Sequence, residues 1–281
     1  NQLISGQGIT PDLLRNLQLA GLSLAQNGSF RVLVIRAATV FFPSTLRYAL
    51  ECALKDCSFF DSANENGHIV VLYDFDPSSI SASIEGFFSE LSRDCTQNSL
   101  EPTDLFCTVG TSVDSPEQIG DSYRCALEMQ EFVFFYGYNR LVFYNSEEKT
   151  RCVLPTQFKD NLSLLLKKQA YGDMEEQVKD LCHLFSLHMG TPIIEVKRSF
   201  FEVIDLIFRE AKARGVHFDE LTEEKSLWEN IFAARTLGQL QDDALYNIRY
   251  LFEKLKKLDS VDKSIATVVK YIHNNYADSK L

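Results

Sequence analysis

The sequence predicts a mixed α/β unit, a sheet covered by helices, followed by an all-α helical unit. Three observations carry this. Strand and helix patterns alternate as far as Tyr144. Residues 156–277 show no strand pattern. Within that second stretch, apolar residues from Leu237 to Leu258 recur at helical spacing.

A first helix is expected over residues 10–25, with Thr10 as cap and Pro11 at the first position, where its missing N–H costs nothing. Asn27-Gly28 is a turn signal. Residues 30–35 (FRVLVI) read as a continuous strand, apolar but for Arg31, as expected at the centre of a covered sheet. Pro43-Ser44 opens a helix to about Cys57. Residues 58–60 and 69–73 read as strands, joined by a turn over residues 61–67 that ends in the hairpin signal Asn66-Gly67. Residues 77–95 form another helix.

The densest pattern is residues 104–144. Leu105, Cys107, Val109 and Thr111 fall on one side of an extended run, Phe106 and Thr108 on the other. Ser115 is expected to cap the next helix, with Pro116 in its first position and Gln118 completing a capping box. Ile119, Tyr123, Ala126, Leu127, Gln130 and Phe134 recur at helical spacing, and Gly137 is expected to end the helix in the left-handed conformation. Residues 141–144 (LVFY) return as a strand. Helices alternating around one antiparallel hairpin suit a ferredoxin-like layer. In the all-α part, helices are expected at about 156–170, 173–189, 192–214, 223–235 and 237–258, with Trp228, Ile231 and Phe232 in their core.

Composition narrows the function classes. The 281 residues suffice for two compact units, and 45% hydrophobic with 24% charged content is ordinary for a soluble protein. No apolar run reaches membrane-spanning length and no signal peptide is visible, so a cytoplasmic location is expected. The net charge of −11 repels a phosphate backbone, which makes the chain by itself a poor nucleic-acid binder. Its seven cysteines form no CxxC pair and none has histidine at zinc-finger spacing. Their scatter points to a reducing compartment and no metal site. There is no G-x-S-x-G elbow and no glycine-rich phosphate loop. Asp74 and Asp76 read as a helix-entry turn, with a metal pair as the alternative. Phe132, Phe134, Phe135, Tyr136 and Tyr138 read as packing between sheet and helix, with a pocket or an interface as the alternative.

Two stretches carry a resemblance. Gly110, Ser122-Tyr123, Ala126-Leu127, Phe134-Phe135, Gly137 and the LVFY strand resemble the degenerate GGDEF-like domain of AraC-type transcription regulators, YesN-like response regulators included. Residues 265–281 (IATVVKYIHNNYADSKL) resemble the opening of an AraC-type DNA-binding domain, through Tyr271, Ile272 and Tyr276. The resemblance implies a non-catalytic regulatory fragment that senses a ligand or passes on a signal. The expected boundaries are 1–149 for a GGDEF-like domain, 150–260 for a helical linker and dimerisation domain, and 261–281 for the first helix of a truncated helix-turn-helix domain. Asn1-Gln2-Leu3 reads as a cut boundary. It implies a homodimer that meets DNA only through the missing C-terminal domain, an unknown small-molecule ligand, no membrane contact by this fragment and no cofactor. The input implied is either a receiver domain or a membrane-anchored sensor.

A GGDEF cyclase needs metal-binding acids at the end of its first strand and in its hairpin. Here those places read Arg36-Ala37-Ala38-Thr39 and Asn64-Glu65-Asn66-Gly67, so no catalysis is expected. A nucleotide-binding relic or an active cyclase is the alternative. The candidate functional element is the helix from Leu237. There Leu237, Ala244, Ile248, Leu251, Leu255 and Leu258 form a heptad seam, expected either to join two copies or to lie within one chain's bundle.

Overall fold

A computed structural model describes residues 29–38, 43–53, 58–64, 67–74, 77–93, 104–147, 149–168, 170–216 and 225–275, together with Arg15. The helix expected over 10–25, apart from Arg15, lies outside these residues, as do Thr39, Glu65, Asn66, Asp76 and Tyr276. The chain divides into two compact units, Asn1–Glu147 and Glu148–Leu281.

The first unit is mixed α/β. Its elements are β1 (Ser29–Ala37), α1 (Pro43–Ala53), β2 (Ser58–Asn64), β3 (Gly67–Asp74), α2 (Pro77–Arg93), β4 (Leu105–Val109), a 3-10 turn (Pro116–Gln118), α3 (Ile119–Gln130), α4 (Val133–Tyr136) and β5 (Arg140–Phe143). One five-stranded sheet runs in the order β2-β3-β1-β4-β5, antiparallel throughout except for the β4–β5 pair. The apolar run of β1 places it at the centre, where both of its faces are buried. Leu33 and Ile35 pack with Leu46 and Leu50 of α1 and with Ile84, Phe87 and Leu91 of α2. Phe30, Val32 and Val34 pack on the other face with Ile119, Tyr123 and Ala126 of α3. Each such side chain, wholly withdrawn from water, contributes about 1.5–3 kcal/mol. The alternation read in β4 is present: Leu105, Cys107 and Val109 join the first core, while the Thr108 hydroxyl donates to the Ala126 carbonyl at 2.8 Å on the other face.

Gly110 and Ser122 lock α3 onto the sheet. The Ser122 hydroxyl accepts from the Val32 amide at 3.0 Å and donates to the Thr111 carbonyl at 2.7 Å. A Cβ on Gly110 would overlap the Ser122 carbonyl oxygen. Gln130, also buried, donates through Nε2 to the Val34 carbonyl at 2.8 Å and to the Thr108 hydroxyl at 3.0 Å. These bonds satisfy polar groups that would otherwise be stranded between helix and sheet.

Four local expectations are corrected. The hairpin strands are longer than read, since Asn64 pairs with Gly67 and only residues 65 and 66 lie between the strands. Gly67, at φ +123°, abuts the Ile35 carbonyl, so a side chain is excluded by both space and backbone conformation. Ser115 makes no side-chain cap; instead its carbonyl accepts from the Gln118 amide at 3.1 Å, and the chain enters α3 through the 3-10 turn. The helix does not continue through Phe134 but breaks at Glu131-Phe132, and α4 is a separate turn. Gly137 has the positive φ expected, 76°, but its ψ of 178° is extended rather than left-handed helical. That geometry turns the chain back towards β5, while Asn139, at φ 57°, fixes the strand start through its side-chain oxygen on the Leu105 amide.

The second unit is helical: α5 (Phe158–Lys167), α6 (Tyr171–Leu187), α7 (Ile193–Ala213), α8 (Lys225–Ala233) and α9 (Leu237–Asn275). Its core gathers Leu162 and Leu166 of α5, Met174, Val178, Leu181 and Phe185 of α6, and Phe200, Val203, Ile204 and Ile207 of α7, with α6 and α7 packed against α9. Ile231 is buried as expected and half-buried Trp228 packs against Phe201 and Phe208, but Phe232 is 46% exposed. The helix read as ending at Leu258 runs unbroken to Asn275. Asp259-Ser260 is no break, because from Gln239 to Asn275 the sequence holds neither glycine nor proline.

Candidate transmission helix

Helix α9 packs against α6, α7 and α8. Of the predicted seam, Leu237, Ala244, Ile248, Leu251 and Leu255 are buried among these helices, and Leu258 is half-buried at the end of the packed stretch. The intrachain reading of the seam therefore holds for this part of the helix. Two polar contacts fix the frame around it. Arg249 of α9 makes a two-pronged ion pair with Glu175 of α6, both bonds at 2.8 Å. The hydrogen bond and charge of Arg249 hold the Glu175 carboxyl below the usual range, against a smaller opposing effect of burial. Lys197 of α7 donates to the Phe232 carbonyl at 2.6 Å, near the C-terminal end of α8, where exposed carbonyls attract a cation.

Beyond Leu258 the apolar pattern continues without cover. Ile265, Val268, Val269, Tyr271 and Ile272 are all exposed, Val269 at 58%. Ile265, Val269 and Ile272 stand at spacings of four and three, in register with the seam upstream. The helix thus carries one stripe in two states, its first half packed in its own unit and its second half bare. Tyr271 and Ile272, singled out by the sequence, lie on the bare part; Tyr276 lies outside the described residues.

The end of β1 lies beside the β2–β3 hairpin. Ile35 of β1 pairs with His68 beside Gly67, and Arg36 and Ala37 follow. Burial pushes the His68 imidazole down, opposed by nearby Asp61. Among the described residues no group of three or more His, Cys, Asp or Glu side chains could hold a metal ion. The aromatic group at α4 packs on the sheet: Phe134 is buried, and the Tyr136 ring stacks on Phe106 of β4 at 6.4 Å between centroids. No described helix is long and apolar enough to cross a membrane.

The sequence placed Gln130 on its helix face without its hydrogen bonds to Val34 and Thr108, and did not single out Asn139 or the Glu175–Arg249 pair. The signal for the Gln130 bonds is its place as the polar member of an otherwise apolar helix face. The other contacts depend on the tertiary fold and leave no local signal.

No protein-family model matches the chain, and no curated protein matches it.

Proposed function

We propose that this chain is the non-catalytic regulatory region of a bacterial AraC-type transcription regulator, and that α9 carries its signal to a DNA-binding domain that begins within that helix. The observation that carries the proposal is the continuity of α9, whose packed seam leads in register into the bare stripe at Ile265, Val268, Val269 and Ile272. A DNA-binding domain whose first helix is this segment would cover the stripe with its own core. Further support comes from the strand order β4-β1-β3-β2 with α1 and α2 on one face, which suits a ferredoxin-like layer. In this reading β5 and α3 are additions, at the sheet edge and on the opposite face. Arg36 and Ala37 at the end of β1 leave that place without the acid a cyclase needs. The regulator would act as a homodimer on two half-sites, as two-fold operators require. Because the packed seam is used within the chain, its dimer contact would lie elsewhere.

The test is a footprint of the full-length protein on the DNA upstream of its own gene, at physiological salt. Protection of a discrete pair of sites, absent with residues 1–281 alone, is expected. A full-length protein that protects no site on any promoter DNA selected from genomic fragments would refute the proposal. So would conversion of GTP to a cyclic dinucleotide by the chain.

A further inference from the structure

Helices α5 and α7 of the helical unit enclose a half-open cleft of about 390 Å³ that belongs to none of the features above. That volume falls in the range of small-molecule sites. Its floor is apolar: Phe158 and Leu162 from α5, Phe201 and Leu206 from α7. Two ion pairs stand on its rim, Lys159–Glu202 at 3.0 Å and Arg209–Asp205 at 2.8 Å.

These pairs are lopsided. The acids are the inner members, with side chains 22% (Asp205) and 39% (Glu202) exposed. The cations are the outer members, at 77% (Arg209) and 68% (Lys159). The long basic side chains on flexible stems are more exposed to water than the shorter carboxylates they pair with. Ion pairs this exposed hold together weakly, so the cations can swing into water at little cost. What they would leave is a pair of carboxylates beside two phenylalanine rings. That combination suits a cation by charge pairing and an apolar body by contact with the rings.

We propose that this cleft binds a small organic ammonium ion with an apolar or aromatic body, its charge on Asp205 and Glu202 and its body on Phe158 and Phe201. The proposal goes beyond the regulator reading and stands without it, since it uses residues of α5 and α7 alone. If both hold, the site has a physical route to α9. Phe201 packs on Trp228 of α8 at 4.7 Å between ring centroids, and both α7 and α8 pack on α9.

The protein's single tryptophan therefore sits one ring away from the cleft and serves as the reporter. The test titrates the protein with 2-phenylethylammonium and, as the neutral counterpart of equal shape, 2-phenylethanol, reading Trp228 emission and the heat of binding. Saturable binding of the amine, with a dissociation constant below about 1 mM and at least about tenfold tighter than that of the alcohol, is expected. Asp205→Asn should weaken the amine at least about tenfold, with unchanged far-ultraviolet circular dichroism. Arg209→Ala should tighten it by freeing the same carboxylate, an effect that general loss of packing cannot imitate. Equal affinity for amine and alcohol, no saturation by either readout, or an Arg209→Ala protein that binds the amine more weakly would overturn the proposal. None of these outcomes bears on DNA protection by the full-length protein.

Discussion

Ile248→Asp should unfold the helical unit, whereas Ile265→Asp, the same change in the same helix and on the same stripe, should leave its stability unaltered. Ile248 has no exposed surface, and Ile265 is 55% exposed. Removing the bulk of a packed isoleucine costs about 2–5 kcal/mol. Burying a carboxyl in its place, with no partner provided, adds several kcal/mol or forces the site open. The total of about 5 kcal/mol or more is comparable with the whole stability of a domain, about 5–15 kcal/mol. At Ile265 nothing packed is lost, and a surface change of this kind stays within about 0.5 kcal/mol. Urea unfolding separates the two cases when followed by the fluorescence of Trp228, which lies in the helical unit, and in parallel by circular dichroism. A stable Ile248→Asp protein would refute the intrachain packing of the seam. If that protein were also a folded monomer from a dimeric parent, the seam would belong between two chains.

Three further outcomes follow from the same structure. Gly110→Ala should cost about 1–3 kcal/mol or more, because the new methyl must drive α3 off the sheet at Ser122; an unchanged melting temperature would mean that α3 does not approach β4 so closely. The Glu175–Arg249 pair should contribute stability fully above the ordinary carboxyl value of 4.5 and lose it as pH falls from there through the lowered value in the folded chain. Glu175→Gln should therefore flatten the acid limb of the stability profile, and a variant whose acid limb matches that of the parent would count against the pair. Mass-mapped alkylation at pH 8 should label exposed Cys52 well before Cys182, since burial and nearby Asp242 push the Cys182 thiol up to about 11. Early labelling of Cys182 in the folded protein would contradict its placement.

The sheet was legible to the extent that its residues obey a local rule. The FRVLVI run, apolar but for Arg31, announced a strand buried on both faces, and the alternation at Leu105, Cys107 and Val109 gave the facing of β4. The true length of the hairpin was hidden, because polar residues such as Asp61 and Ser62 on an edge strand look like a turn until pairing is known. Ser115 had the right residue type for a cap, but the 3-10 entry satisfied the amide through the backbone instead. The seam in α9 was legible as a seam. Periodicity reports that a face is covered and not by which chain, so the burial of Ile248 within its own unit needed the packed structure. The cleft left no mark in the sequence, since Phe158 and Phe201 come from separate helices and each alone is an ordinary core aromatic.

The unbroken run of α9 also limits what kind of motion can pass along it. At about 1.5 Å per residue its 39 residues extend for about 58 Å, with no glycine after Gly238 and no proline to serve as a joint. Such a rod carries torsion and axial thrust well and bending poorly. The azimuth of its bare end is therefore tied to that of the packed seam at its base. One residue inserted near Ser260 would turn the far end by about 100°, whereas seven would return it almost to its starting azimuth while pushing it outward by about 10 Å.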